Sequence, residues 1–193
     1  MKRIGLCLAV AFLVLFSEGR ITRQLTHAQA SEGSVPPCYH QEFSEFSFLE
    51  GDWEVKLNSR LGDGKWEETT ATSQIKRDLS GCILIERLLG SRQNRPFHVL
   101  SLFAFDNNSK RLQYLLSDSE HGLLALFQGR KFGGEILLEL ELVRGDGTRV
   151  TIRRSYSEIK KDSFSLESKH SGDGGKSWLT VMKAQYGRKP GRN

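Results

Sequence analysis

Residues 51–57 read Gly51-Asp52-Trp53-Glu54-Val55-Lys56-Leu57, with an apolar side chain at every second position after the glycine. Alternation of this kind is typical of a β-strand that has one buried face. The turn Gly62-Asp63-Gly64 follows, and a second, more polar stretch runs from Lys65 to Lys76. A strand, a tight turn and another strand predict that the fold opens with a β-hairpin.

Eight further strand-like stretches follow this hairpin, separated by short turns rich in Gly, Asn and Asp. They cover residues 82–89, 97–105, 111–118, 122–128, 135–143, 148–159, 164–170 and 178–186. Connections this short cannot carry parallel crossovers, so neighbouring strands must pair antiparallel. Because no helical pattern in this region could cover a face, the sheet is expected to close on itself. The sequence therefore predicts an all-β protein, a single antiparallel up-and-down β-barrel of about ten strands.

The alternation also predicts the side chains that line the interior of the barrel. This lining consists of Trp53, Val55, Phe103, Phe105, Tyr114, Leu138, Leu140, Ile152 and Trp178. Barrels of about eight to ten strands can hold one small ligand. A register slip of one residue would invert a whole strand, so the prediction depends on the phase of each strand.

The composition suits one soluble domain: 38% of the 193 residues are hydrophobic and 26% are charged. The net charge is +5, and residues 1–30 contribute four basic residues and one acidic residue to it. Without them the net charge is +2, and the remaining basic residues are dispersed among acidic ones. Nucleic acid is therefore not an expected partner.

Residues 1–30 have the order of a secretory signal peptide. Met1-Lys2-Arg3 is basic, residues 4–16 are uncharged and apolar, and Ala28-Gln29-Ala30 supplies small residues. We predict cleavage after Ala30, or alternatively after Gly19, and export to the periplasm or the extracellular space. The apolar run is shorter than the roughly 20 residues of a membrane span, so no stable membrane insertion is expected once the leader is removed. An uncleaved anchor or a buried helix is the other interpretation of this run.

The predicted organisation after the signal peptide has three parts. These are an N-terminal arm over 31–50, the β-barrel domain over 51–188 and a disordered tail over 189–193. In the arm, Phe43 and Phe46 have helical spacing and could form one turn that plugs part of the fold.

Cys38 and Cys82 are the cysteines that remain after the leader, and an even number in an exported chain predicts a disulfide. This bond would tie the arm to the third strand. Two buried free thiols are the alternative.

The stretch Phe48-Leu49-Glu50-Gly51-Asp52-Trp53 contains a Gly-x-Trp that resembles the start of lipocalin and fatty-acid-binding barrels. In lipocalins an Arg after the last strand packs on that Trp, and Arg188 stands in the corresponding place. Stacking of a guanidinium on an indole is physically favourable. The chain therefore resembles the calycin superfamily, and this resemblance implies structural roles for Gly51, Trp53 and Arg188.

The opening Leu-x-Gly-x-Trp and the late Asp-Gly-Gly-x-Ser-Trp are also similar to exported, uncharacterised domains related to nitrobindin. That resemblance implies a haem-binding barrel as an alternative function, with a His near the chain end as the iron ligand. His170 fits this position best, although it ends its strand and could simply lie at the rim. His40, His98 and His121 fit less well, and no histidine pair has the spacing of a metal site.

Val150, Ile152, Arg154 and Tyr156 share one face of a predicted strand. Fatty-acid-binding proteins hold a carboxylate with an Arg-x-Tyr on their last strand, whereas this pair lies on the antepenultimate one. An inward Arg154 would need a partner, either a ligand carboxylate or an internal Glu. An outward Arg154 on a twisted strand is the alternative.

Residues 171–178 fit the Asp-box pattern of sialidase propellers, but a propeller needs several such copies. We therefore predict a structural turn formed by Asp173, Gly175 and Trp178, without sialidase activity. No nucleophile elbow, zinc-protease or phosphate-loop motif is present, and no catalytic or metal-binding residue is predicted. Asp118, Glu120 and His121 cluster in a turn, which could serve acid–base chemistry or only solvate the turn.

Together these observations predict an exported binding protein for a small hydrophobic or amphipathic ligand held inside the barrel. The predicted ligand-binding residues are Arg154, Tyr156, Trp53, Phe103 and Tyr114. The alternatives are a haem-binding barrel that uses His170, and a barrel filled by its own side chains that serves as a structural or protein-interaction module. The sequence favours a protein without enzymatic activity but does not exclude an enzyme.

Overall fold

The structure, a computed structural model, describes Cys38 and residues 41–190. The predicted signal peptide, His40 and residues 191–193 lie outside the described residues. The described residues form ten strands and two short 3₁₀ helices, at Gln41–Leu49 and Leu79–Gly81. The strands are β1 (Gly51–Arg60), β2 (Trp66–Asp78), β3 (Ile83–Arg92), β4 (Arg95–Asp106), β5 (Arg111–Asp118), β6 (Leu124–Phe132), β7 (Glu135–Val143), β8 (Arg149–Ser157), β9 (Ser163–Ser171) and β10 (Leu179–Arg188).

Consecutive strands pair antiparallel, and β1 also pairs with β10, which closes the barrel. In that closing pair Trp53 lies opposite Arg188. The prediction of an all-β, antiparallel up-and-down barrel of about ten strands is confirmed. Among the ten described strands, closure leaves no sheet edge exposed for pairing with another chain.

Side-chain hydrogen bonds in the turns shift two of the predicted strand ends. Asp118 accepts hydrogen bonds from the backbone of Glu120 and His121, and Gly122 has a φ of +62°, so β6 begins at Leu124 rather than at residue 122. Asp146 accepts from the backbone of Thr148, so β8 begins one residue later than predicted. Asp is favoured in turns for this reason.

The longer 3₁₀ helix closes one end of the barrel, called the plugged end below. Phe43, Phe46 and Leu49 recur every third residue, which matches the 3₁₀ repeat, and all three are buried. The ring of Phe46 packs edge-to-face on Phe103 at a centroid distance of 5.2 Å. A disulfide joins Cys38 to Cys82 across a Cα–Cα distance of 5.6 Å, so the arm that carries this helix is tied to the start of β3.

Arg188 seals the same end from outside. Its guanidinium carbon lies 4.2 Å from the centroid of the Trp53 ring, and its Nη1 donates a 3.0 Å hydrogen bond to the carbonyl of Glu50. Gly51 has a φ of +143°, and a Cβ at this position would collide with Nη1 of Arg188. A glycine is therefore required here by both the backbone conformation and the close approach of the guanidinium. The next residue, Lys189, is the first of the predicted tail, and its backbone N–H donates to the carbonyl of Asp52.

The predicted position of Trp178 inside the barrel is wrong. Trp178 precedes β10, is half-buried and stacks on Arg153, whose guanidinium carbon lies 3.9 Å from its ring centroid. Arg153 also forms a salt bridge with exposed Glu139, so this stack lies on the outer face. The inward–outward alternation of β10 does not extend back to Trp178, because this residue belongs to the preceding turn. In that turn Asp173 accepts hydrogen bonds from the backbone N–H groups of Lys176 and Ser177. Nε1 of Trp178 donates to the carbonyl of Gly175.

Candidate functional site

The half of the barrel away from the plugged end is hollow. Its cavity has a volume of about 490 Å³, within the range of small-molecule sites. The apolar part of its wall includes Leu57, Leu88, Phe97, Val99, Leu166 and Met182. The turns β1–β2, β3–β4 and β5–β6 surround its opening, called the mouth below. The barrel is therefore not filled by its own side chains in this half, contrary to one of the alternatives from the sequence.

Glu86 lines the cavity from the middle of β3 and is 4% exposed. Its Oε1 accepts hydrogen bonds from Ser73 Oγ at 2.8 Å and Tyr186 Oη at 3.2 Å, and its Oε2 accepts one from Ser101 Oγ at 2.9 Å. A buried carboxylate is tolerated when hydroxyls compensate for its lost hydration. These bonds use most of the acceptor capacity of Glu86.

A chain of hydroxyls connects Glu86 to Arg154. Ser101 Oγ lies 3.2 Å from Tyr114 Oη, and Nη1 of Arg154 donates to Tyr114 Oη at 2.6 Å. Because the Ser101 proton is committed to Glu86, Tyr114 must donate to Ser101. The hydrogen bonds therefore all run in one direction, from Arg154 through Tyr114 and Ser101 to Glu86. These four side chains are called the polar series below. Burial raises the pKa of Tyr114 to about 12, so its hydroxyl keeps the proton that this series requires.

Arg154 is half-buried and lines the cavity. Its guanidinium carbon lies 5.2 Å from the ring centroid of Tyr114 and 5.4 Å from that of Phe127. Arginine has five N–H donors, and within the described residues only Nη1 meets an acceptor while the buried Nε has none. Arg154 points into the barrel, as the alternation along its strand predicts. Glu86 is connected to Arg154 only through the hydroxyls of Ser101 and Tyr114.

The structure separates the predicted ligand-binding residues into two groups. Arg154 and Tyr114 meet in the cavity, whereas Trp53, Phe103 and Tyr156 lie in the packed half nearer the plugged end. Tyr156 packs 6.3 Å from Phe103 between ring centroids, and burial raises its pKa well above the ordinary value. Alternation tells which face a residue occupies but not its depth along the barrel.

Glu86, Ser101 and Ser168 line or support the cavity but were not predicted. Glu86 lies between Leu84 and Leu88 at every second position, so the phase of β3 places it inward. This alternation could have identified Glu86 from the sequence, because an acidic residue on an otherwise apolar strand face indicates a buried carboxylate.

Charged residues surround the mouth. Arg92 Nη1 forms a 2.8 Å salt bridge with Glu120, which links the β3–β4 turn to the β5–β6 loop. Asp118 lies 3.0 Å from Nδ1 of His121. Burial would raise the pKa of Asp118, but the hydrogen bonds from His121 lower it overall. In the part of the chain that the structure describes, no cluster of three or more His, Cys, Asp or Glu could hold a metal ion.

His170 is half-buried at the end of β9 and lines the cavity near its mouth. Burial, with the charges of Arg144 and Arg154, lowers its pKa, which favours the neutral imidazole. A neutral imidazole is the form that binds iron, so the donor chemistry of His170 fits a haem ligand. His98 is exposed on the outer face of β4 and cannot serve this cavity.

A family model described as a protein of unknown function, DUF1579, matches residues 40–188. No curated protein matches the chain. Among residues 41–190, no helix is long and apolar enough to span a bilayer.

Two solved structures have a similar fold. The structure of Rv2717c from M. tuberculosis has a TM-score of 0.57 and 17% sequence identity, and the match covers 81% of this chain and 100% of that one. The S-type phycobiliprotein lyase CPES from Guillardia theta has a TM-score of 0.51 and 14% identity, with 80% and 100% covered. At such identities the likeness establishes the fold alone, which is a closed antiparallel β-barrel.

Proposed function

The chain belongs to the DUF1579 family of proteins of unknown function, and we propose that it is an exported binding protein for a small amphipathic molecule with an acidic group. The ligand lies in the hollow half of the barrel with its acidic group on Arg154. The observation that carries this proposal is an arginine with uncommitted donors inside an apolar-walled cavity of about 490 Å³.

The chemistry of Arg154 selects an acidic group. Apart from Nη1, which donates to Tyr114, the guanidinium of Arg154 meets no acceptor among the described residues, and its buried Nε–H has lost its hydration. A carboxylate that accepts hydrogen bonds from two of these N–H groups compensates for that loss. Glu86 cannot serve as this acceptor directly, because Ser101 and Tyr114 stand between the two side chains. Apolar wall residues such as Leu88 and Leu166 then favour a hydrocarbon body for the ligand.

One structural observation and one sequence prediction support export. The Cys38–Cys82 disulfide indicates an oxidising environment. The predicted signal peptide agrees with that location.

The likeness in fold to a phycobiliprotein lyase is compatible with a barrel that handles a small molecule.

Titration calorimetry with dodecanoate tests the proposal. We expect binding by the wild type and a loss of about 10- to 100-fold in affinity for Arg154→Met, the range expected for charge-assisted hydrogen bonds. Arg153→Met is the matched control, because Arg153 is the neighbouring residue and lies on the outer face. Arg154→Lys keeps the positive charge but removes the planar guanidinium, so it should also weaken binding. This variant replaces Arg154→Met in the test if the methionine variant does not fold. No binding by the wild type, or equal binding by the Arg154 and Arg153 variants, would contradict the proposal.

Haem binding is the second candidate, and the position of His170 supports it. Bound haem would supply an iron centre at the mouth, with His170 as its ligand and Arg144 available for a propionate. An absorbance titration with haemin distinguishes this candidate. A band shift that is lost in His170→Ala but retained in the surface control His98→Ala supports haem, and identical spectra for both variants reject it.

A further inference from the structure

A second hollow of about 300 Å³ adjoins the cavity on the side of β5 to β8. The larger space is called lobe 1 and this smaller one lobe 2. The apolar wall of lobe 2 consists of Leu123, Ala125, Phe127, Leu142, Val150 and Ile152. Apart from the residues at their boundary, the two lobes have separate walls.

The boundary between the lobes is polar. The residues that line both spaces, called the junction below, are Leu116, Asp118, His121, Arg154, Ser168 and His170. Ser168 is 4% exposed and lines both spaces, and Nε of Arg154 is buried without an acceptor among the described residues. A buried N–H group without an acceptor is costly unless another molecule supplies one. The junction therefore offers Arg154 donors and the Ser168 hydroxyl between two apolar spaces.

This arrangement restricts the shape of the ligand. A straight-chain acid with its carboxylate on Arg154 would fill one lobe and leave the apolar wall of the other in contact with water. A molecule whose acidic group lies between two apolar arms would bury both walls and keep its charge at the junction. We infer that the ligand is such a two-armed amphiphile, with its acidic group on Arg154 and Ser168 and one apolar arm in each lobe. The inference rests on the proposed binding function and specifies its ligand class.

A pair of isomeric acids tests the inference by titration calorimetry. Hexyldecanoate branched at the carbon next to its carboxylate has two arms, and hexadecanoate has the same composition in a single chain. We expect the branched acid to bind at least about tenfold more tightly, because it buries the second wall as well. Equal or weaker binding of the branched acid would overturn the inference.

Two matched variants identify the lobes that the ligand occupies. Ala184→Leu adds bulk to the wall of lobe 1, and Ala125→Leu adds it to the wall of lobe 2. Each should weaken the branched acid by about tenfold or more, whereas only one of them should affect hexadecanoate. If overpacking prevents Ala125→Leu from folding, Leu123→Trp replaces it. Leu123 lines lobe 2 and is 46% exposed, so a larger side chain fits there more easily.

The outcomes separate the two proposals. If neither acid binds the wild type, the proposed function itself fails. If hexadecanoate binds through Arg154 and the lobe 2 variants leave branched-acid binding unchanged, the function survives and the two-armed ligand is rejected. Loss of branched-acid binding in both lobe variants supports the inference.

Discussion

Arg154 on β8 donates a 2.6 Å hydrogen bond to the hydroxyl of Tyr114 on β5, across the interior of the barrel. This bond is the point where the cavity meets the polar series that ends at Glu86. It fixes the guanidinium by one nitrogen and leaves the remaining donors without a protein acceptor among the described residues. The same interaction thus stabilises the fold and positions the proposed ligand-binding group.

Replacing Tyr114 by Phe should lower the free energy of unfolding by about 1–3 kcal/mol. The substitution keeps the ring but leaves Arg154 without its acceptor and Ser101 without its donor. Urea unfolding measures the loss. Tyr156→Phe is the control, because Tyr156 is equally buried but is not part of this series. Equal costs for the two variants would show that the series contributes no net stability.

Stability should fall as the pH rises from 10.0 towards about 12. Burial holds the pKa of Tyr114 at about 12 in the folded protein, against an ordinary value of 10.0. In this window the unfolded chain binds fewer protons than the folded one, so the free energy of unfolding decreases with pH, whereas below pH 10.0 the contribution is fully present. Burial raises the pKa values of Tyr156 and Tyr186 in the same direction, which should steepen the decrease.

Urea unfolding at a series of pH values, with tyrosinate absorbance recorded in parallel, checks this dependence. Stability that stays constant over the window, or buried tyrosines that ionise near pH 10.0 in the folded protein, would contradict it.

Arg188→Met should lower the free energy of unfolding by about 2 kcal/mol, through the lost stacking on Trp53 and the lost hydrogen bonds to backbone carbonyls. Lys189→Met is the control, because its backbone bond to Asp52 is retained. Thermal or urea unfolding measures both variants. A loss no larger than that of the control would mean that the guanidinium does not secure the plugged end.

Cys82→Ser should lower the free energy of unfolding by about 3–4 kcal/mol, the chain-entropy estimate for a loop of this size. The disulfide spans 44 residues and holds the arm with the 3₁₀ helix to β3. A reductant should destabilise the wild type by a similar amount and leave Cys82→Ser unchanged. Insensitivity of the wild type to the reductant would indicate that the bond does not form in solution.

Alternation and turn chemistry carried most of the fold prediction. The phase of β8 places Arg154 inward, and the short turns require antiparallel neighbours, so both could be read from the sequence. Trp178 could not be placed by alternation, because hydrogen bonds of Asp173 and Gly175 hold it in a turn outside the barrel.

The sequence predicts which residues face the interior, but not which of them meet in the cavity. Tyr156 shares the inward face of Arg154 but lies one layer deeper, among the aromatic rings of the packed half. Depth depends on the register between distant strands, which no single stretch of sequence encodes. The bond from Arg154 to Tyr114 joins residues 40 positions apart and follows only from that register.

Native mass spectrometry with an absorbance scan, on protein purified from its own exported compartment without added ligand, tests the central claim most directly. The account predicts a colourless protein that carries a few hundred daltons of bound acidic amphiphile, a size suited to small-molecule sites, and that loses this mass in Arg154→Met. A haem band that disappears in His170→Ala, or a bare protein mass in every preparation, would contradict it.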